Sequence, residues 1–233
     1  MDYLYLDRNI EKIKKRIGAA AERCGRNADE ITFLAAIKSA DVGEINYIHS
    51  ALGISEVGEN RVQQLLERYD KLDGVGKGLK MHFIGSLQTN KVKYIIDKVS
   101  MIHSVDSVKL AAEIDKQAKK KGVVMDVLVE INSGEEQSKS GVLPDEVEGL
   151  CAELGQFENI RLKGFMTMAP RCEKKEDYLH FFEKTYAEAL DIWTKKLHNI
   201  GEPVMSMGMS ESFEEAIACG ADTVRIGRSL FVK

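Results

Sequence analysis

The sequence predicts an α/β fold, a single (β/α)8 TIM-type barrel with an extra N-terminal helix, spread over residues 1–233 as one domain. Three observations carry that expectation. Eight short, apolar, often β-branched stretches recur along the chain. Segments of helical periodicity separate them. Two glycine-containing turns follow the last two stretches, where barrels commonly bind phosphate.

The elements follow in order. Residues 3–25 place Ile10, Ile13, Ile17 and Ala20 on one helical face. The strand candidates are 31–37, 54–59, 80–86, 101–106, 125–132, 160–168, 203–209 and 223–230. Their near-continuous apolar runs suit parallel strands covered on both faces. Residues 107–121 read as an amphipathic helix running into lysines and Gly122, and 144–157 as a helix opened by Pro144. Residues 174–199 form one long helix or a pair, while 70–80 and 134–141 read as polar loops. Phe231-Val232-Lys233 leaves no room for an eighth helix, so the N-terminal helix is expected to cover that stretch of wall. A doubly wound open sheet competes, but it would want a glycine-rich turn after the first strand to bind a nucleotide, and there is none.

Composition excludes several classes. A formal charge of −4 and a pI near 5.8 argue against a nucleic-acid-binding surface. No apolar run approaches the roughly 18–20 residues that span a bilayer, and the acidic N-terminus does not read as a signal peptide. Cys24, Cys151, Cys172 and Cys219 are scattered without a Cys-x-x-Cys pair, which points away from zinc and disulfides and towards the cytoplasm. No metal site is expected.

Barrel chemistry sits at the C-terminal ends of the strands. Lys38 ends the first apolar run and shares a face with Leu34 and Ala36. A partly desolvated lysine there is a nucleophile for an aldehyde; taken alone, it reads more readily as a snorkelling strand-end lysine. Ser206, Gly208 and Ser210 end the seventh strand, and Arg225, Gly227, Arg228 and Ser229 the eighth. Small residues let backbone N–H groups approach an anion, and hydroxyls add donors. Together with Lys38, these turns point to a phosphorylated aldehyde, pyridoxal 5′-phosphate. Glu59-Asn60, the stretch 82–91 and the stretch 132–141 are further candidates for the polar cap of the mouth. His82 starts its strand and reads as core or surface. His49, His103, His180 and His198 show no pairing that suggests a metal site or a triad.

The chain resembles the pyridoxal phosphate homeostasis proteins, the YggS or PROSC family, over nearly its whole length. The matching motifs are Lys38, Gly58-Glu59-Asn60-Arg61-Val62-Gln63, His82-Phe83-Ile84-Gly85, Ser104-Val105-Asp106, Gly164-Phe165-Met166-Thr167-Met168, Ser206-Met207-Gly208-Met209-Ser210 and Val224-Arg225-Ile226-Gly227. The resemblance implies a barrel similar to the N-terminal domain of alanine racemase. It implies that Lys38 forms the internal aldimine and that Ser206, with the backbone at Gly227 and Arg228, holds the phosphate. It also implies that Arg225 faces the pyridine nitrogen and that Asn60 lies near the ring's 3-oxygen. The chain departs from the family pattern at Arg228, where many relatives carry threonine, at Ser39-Ala40-Asp41, which lacks a common proline, and at the terminal Phe231-Val232-Lys233, which lacks a frequent glycine.

The function expected is a monomeric, non-catalytic carrier. It holds pyridoxal phosphate, limits the free aldehyde and delivers it to pyridoxal-phosphate-dependent apoenzymes, with no nucleic-acid or membrane partner. A racemase or decarboxylase of the same fold type is the alternative. Such enzymes add a β-domain that this sequence does not continue into, and a racemase needs a second acid–base group opposite the lysine. A cofactor-free phosphosugar enzyme using Lys38 is the third reading, disfavoured by the Arg225 motif.

Overall fold

The computed structural model describes residues 3–135, 140–196 and 202–233. Helix α1 (Leu4–Arg23) comes first and buries Leu6, Ile10, Ile13, Ile17 and Ala20 along one stripe. There follow β1 (Thr32–Ala36), α2 (Val42–Ser50), β2 (Glu56–Glu59), α3 (Val62–Tyr69), β3 (Lys80–Phe83), α4 (Val92–Ile95), β4 (Met101–Val105) and α5 (Val108–Lys121). The second half comprises β5 (Met125–Ile131), α6 (Val147–Leu154), β6 (Ile160–Thr167), α7 (Lys175–Lys196), β7 (Val204–Ser206), α8 (Phe213–Ala218), β8 (Thr223–Ile226) and the single turn α9 (Arg228–Phe231).

The strands form a closed barrel in chain order, with β1 pairing in parallel with both β2 and β8. The barrel class predicted from alternation is therefore the one observed, and the open sheet is excluded. Residues 175–196 belong to one helix rather than a pair; 197–199 of that expected element lie outside the described residues, as do 136–139 of the expected 134–141 loop.

Helix α1 covers the wall beside the last strand. It packs against α8 and α9. Arg16 donates to Glu214 and lies over the Phe213 ring, and Asn9 Nδ2 caps the carbonyls of Leu230 and Val232. The ends of the other helices are set by ordinary local chemistry. Asp41 and Glu44 form a capping box at the start of α2. Ser107 caps α5, which ends at Gly122 in the left-handed region.

The core has two parts. The larger lies between the sheet and the helices. The smaller, Leu34, Ala36 and Ile84, fills the barrel lumen. It identifies the inward parity of β1 and β3, and with it the residues that reach the mouth.

All eight expected strands are longer than those observed, and three overrun at the C-terminal end by three residues or more. The predicted 80–86, 203–209 and 223–230 stop at Phe83, Ser206 and Ile226. In each case the chain runs on as an apolar or glycine-containing stretch after leaving the sheet. Periodicity cannot distinguish such a loop from a strand.

Candidate functional site

Lys38 lies two residues beyond the end of β1, in a turn at the C-terminal mouth, with the inward parity of Leu34 and Ala36. It is exposed, so the partial desolvation expected of it is not seen. Its turn is tightly held. The Ile37 N–H donates to the Gly58 carbonyl, and the Ile37 carbonyl accepts from Ala40 N at 3.0 Å and from Arg68 Nη1 at 3.0 Å. The same Arg68 nitrogen lies 2.8 Å from Glu59 Oε2. Glu59 is fully buried and accepts from Asn60 N through its other oxygen. One ion pair thus anchors both the lysine turn and the exit of β2.

Asn60 shares the inward parity of Gly58. Its Oδ1 is buried and has no partner. The neighbouring Gly85 permits this arrangement, since a Cβ there would lie 2.1 Å from the Asn60 carbonyl oxygen. Across the mouth, Gly227 packs its backbone against β1; a Cβ would meet the Ala36 carbonyl oxygen at 2.7 Å. Beside it the Ser229 N–H donates to Ser210 Oγ at 3.3 Å, tying the turn after β8 to the turn after β7. Ser229 Oγ is buried and unpartnered. The mouth therefore presents one amine, orphaned polar atoms on two sides and a close glycine turn, a set that fits an anionic, polar-edged planar ligand.

Arg225 lies beneath, pointing into the lumen and 5% exposed. Its Nη1 donates to the Ser206 carbonyl and to Ser206 Oγ, and its Nη2 to the Thr167 carbonyl, at 2.7, 2.8 and 2.8 Å. Burial pulls its pKa down to about 10, against the pull of the Glu130 carboxylate. Burial also raises the carboxyl of Glu130, which Ser140 supports with a 2.7 Å bond.

The expected phosphate contact at Ser206 is not favoured by this geometry. Ser206 is fully buried, and its hydroxyl already engages Arg225 and lies 3.1 Å from His103 Nδ1. Ser210 and Ser229 lie nearer the surface, at the turns themselves. Arg228 is exposed and its guanidinium pairs with Glu211, so only its backbone remains directed by the turn.

The histidines add what the sequence reading lacked. His82 is buried in the lumen, with Nδ1 2.9 Å from His103 Nε2 and Nε2 2.5 Å from Glu56 Oε2. Glu56 also takes Lys80 Nζ at 2.8 Å. A continuous chain runs from the N-terminal floor of the barrel through Glu56, His82, His103 and Ser206 to Arg225. The only signal available in the sequence was parity: Glu56, His82 and His103 each fall on the inward register of a strand. Among the described residues, no group of three metal-binding side chains comes together.

The alanine racemase N-terminal domain profile matches residues 6–233. A pyridoxal phosphate homeostasis protein of Aquifex aeolicus is 40% identical over 222 residues, covering 95% of both chains. The protein of that name from Escherichia coli K12 is 34% identical over 225 residues, covering 96% of this chain and 94% of its own. Among solved structures, PipY of Synechococcus elongatus, determined with PLP bound, superposes with a TM-score of 0.80 at 25% identity, over 94% of this chain and 100% of that one. The lumen residues, the mouth turns and these full-length matches converge: the chain belongs to the alanine racemase N-terminal domain family and, within it, to the pyridoxal phosphate homeostasis proteins.

Proposed function

We propose that this protein binds pyridoxal 5′-phosphate at the mouth of the barrel and serves to hold and pass on the cofactor rather than to turn over a substrate. The observation that carries this reading is Lys38 at the mouth above the buried Arg225, with orphaned polar atoms at Asn60 and Ser229 around it. The relative solved with PLP supports it, as do the relatives named for pyridoxal phosphate homeostasis.

In this reading, Lys38 Nζ is the amine that joins the cofactor's aldehyde carbon, with loss of water. The Arg68–Glu59 pair holds the Lys38 turn in place. Ser210, Ser229 and the backbone at Gly227 and Arg228 receive the phosphate; Ser206 steadies Arg225 instead. Asn60 Oδ1 accepts a hydrogen bond at the ring edge. When bound, the cofactor supplies an electrophilic carbon and an electron-withdrawing ring. With a pKa near 10, Arg225 keeps its proton at neutral pH rather than transferring it to the much less basic ring nitrogen, so that ring stays a weak electron sink. This is the physical reason for favouring a carrier over a racemase or decarboxylase. We further place the protein in the reducing cytoplasm as a monomer serving apoenzymes. Among the described residues no cysteine forms a disulfide, and the large exposed apolar side chains are scattered.

The test is an absorption spectrum of the purified protein with pyridoxal phosphate, before and after borohydride, with peptide mapping and assays for amino-acid racemisation and decarboxylation. The reading expects a visible band, reduced onto Lys38, and no turnover. A protein that takes up no cofactor, or an adduct on another lysine, would overturn the site. Sustained turnover would overturn the carrier role.

A further inference from the structure

The chain through the lumen has a direction, and the direction fixes the state of each member. A guanidinium only donates, so the Ser206 hydroxyl oxygen accepts from Arg225. A carboxylate only accepts. Burial pushes the Glu56 carboxyl up, but the bonds from His82 and Lys80 outweigh it and hold the group below its usual range, ionised. One run gives every donor on the line an acceptor with no imidazole charged, and in it every bond points from Arg225 towards Glu56. Ser206 gives its one proton to His103 Nδ1, His103 gives the Nε2 proton to His82 Nδ1, and His82 gives its Nε2 proton to Glu56 Oε2. Both imidazoles are then neutral, both carry the proton on Nε2, and every donor on the line has an acceptor. Burial first, and then the Arg225 cation, hold the pKa of His103 well below the ordinary value.

We propose that His82 and His103 are positioning residues for Arg225: anchored on Glu56, they orient the Ser206 hydroxyl as a fixed acceptor and so set where the guanidinium meets the cofactor ring. The proposal rests on the reading that Arg225 faces the ring of bound pyridoxal phosphate. An extra proton on His103 Nδ1 would take away the acceptor of the Ser206 hydroxyl proton. It would also place a second cation beside the guanidinium. The other charged groups near the line are Lys80 on Glu56, Glu130 facing Arg225 with Asp106 behind it, and the Asp126–Arg161 pair at the floor ends of β5 and β6.

Two measurements test this. The first is nitrogen-15 NMR of the imidazoles in the cofactor-free protein at neutral pH. Neutral His82 and His103, each with its proton on Nε2, are expected; a proton on His103 Nδ1, or a cationic His103, overturns the chain. The second is pyridoxal phosphate titration of Glu56→Gln, His103→Leu and Ser206→Ala, singly and paired. Each single change should weaken binding about tenfold and shift the pH profile of the visible band. Pairs should weaken it little further, because all act through one line. Additive losses, or single variants with wild-type affinity and pH profile, overturn the positioning role. Should His103→Leu not fold, Glu56→Gln at the far end of the line and the native NMR decide alone. Wild-type protein that binds no cofactor refutes the parent reading and is told apart by that.

Discussion

The two ends of the barrel lumen treat polar atoms differently. From the floor up to Arg225, the inward polar groups bond to one another: Lys80 to Glu56, Glu56 to His82, His82 to His103, His103 to Ser206 and Ser206 to Arg225. Above that level the pattern stops. Asn60 Oδ1 and Ser229 Oγ are buried with no partner, and Lys38 stands exposed. Buried polar groups are normally satisfied. A scaffold that completes its bonds at one end and leaves them open at the other is prepared for a ligand at the open end. The contrast also separates two kinds of residue: floor residues should govern stability and cofactor orientation, and mouth residues retention.

The sharpest break of that contrast is Lys38→Ala. The side chain is exposed and carries no packing, so stability should change by no more than about 0.5 kcal/mol. The borohydride-trappable band should vanish altogether. A variant that keeps the full band would place the amine elsewhere.

Arg225→Met should do the reverse. It leaves the Ser206 carbonyl and hydroxyl and the Thr167 carbonyl without their donor, and leaves Glu130 facing no cation, all in the lumen. Removing one member of a buried charged network costs about 3 kcal/mol or more. Urea melts of the cofactor-free protein read it directly, and a loss under about 1 kcal/mol would mean the lumen can repack around an uncharged side chain.

The serines sharpen the boundary between the two regions. Ser206→Ala should cost about 1 kcal/mol of stability in the cofactor-free protein, the worth of a buried hydrogen bond. Ser210→Ala and Ser229→Ala should leave stability unchanged and weaken pyridoxal phosphate binding by about tenfold. Thermal melts of the cofactor-free proteins separate the two sets, since Ser206→Ala also weakens binding through Arg225. If Ser206→Ala left stability intact and alone released phosphate, the boundary would lie one layer deeper than drawn.

How legible this was in the sequence follows from the same contrast. Alternating apolar runs and amphipathic helices gave the barrel, because burial on both faces of a parallel strand leaves a mark in every residue. Lys38 and Gly227 could be singled out because they follow strand ends, and Arg225 because it lies next to one, inside β8. The Glu56–His82–His103 line was not visible. Each member looks like an isolated polar residue, and only strand register brings three different strands' side chains into contact. Ser206 was only half legible for a related reason: a serine in a small-residue turn reads as an anion donor, and only the structure reveals that its buried hydroxyl also meets Arg225 and His103. The Arg68–Glu59 anchor of the lysine turn was missed because it joins a helix to a strand nine residues away, beyond any local pattern.

The smallest predicted effect concerns acid, and its sign follows from His103. Burial first, and then the Arg225 cation, depress its pKa in the folded state. In the unfolded chain a histidine titrates near ~6.5. Above that pH neither state binds the proton, and the contribution to stability is complete. As pH falls through ~6.5, the unfolded chain takes up a proton that the folded chain refuses, so stability declines towards the depressed folded value, by at most about 1.4 kcal/mol per pH unit. Glu130 acts in the opposite sense. Burial raises its carboxyl, so its contribution is present below ~4.3 and lost as pH rises through the folded value. The two therefore partly offset each other in mildly acidic solution, and the net curve of the wild type will be shallow. His103→Asn removes only the first contribution. Wild type should be the more stable of the two at neutral pH, and the gap should narrow steadily as the solution is acidified below ~6.5. Urea midpoints of both proteins at fixed ionic strength measure it. Parallel curves would mean that His103 is protonated as readily in the fold as outside it, and that the lumen, unlike the mouth, is not the dry, self-satisfied region its hydrogen bonds describe.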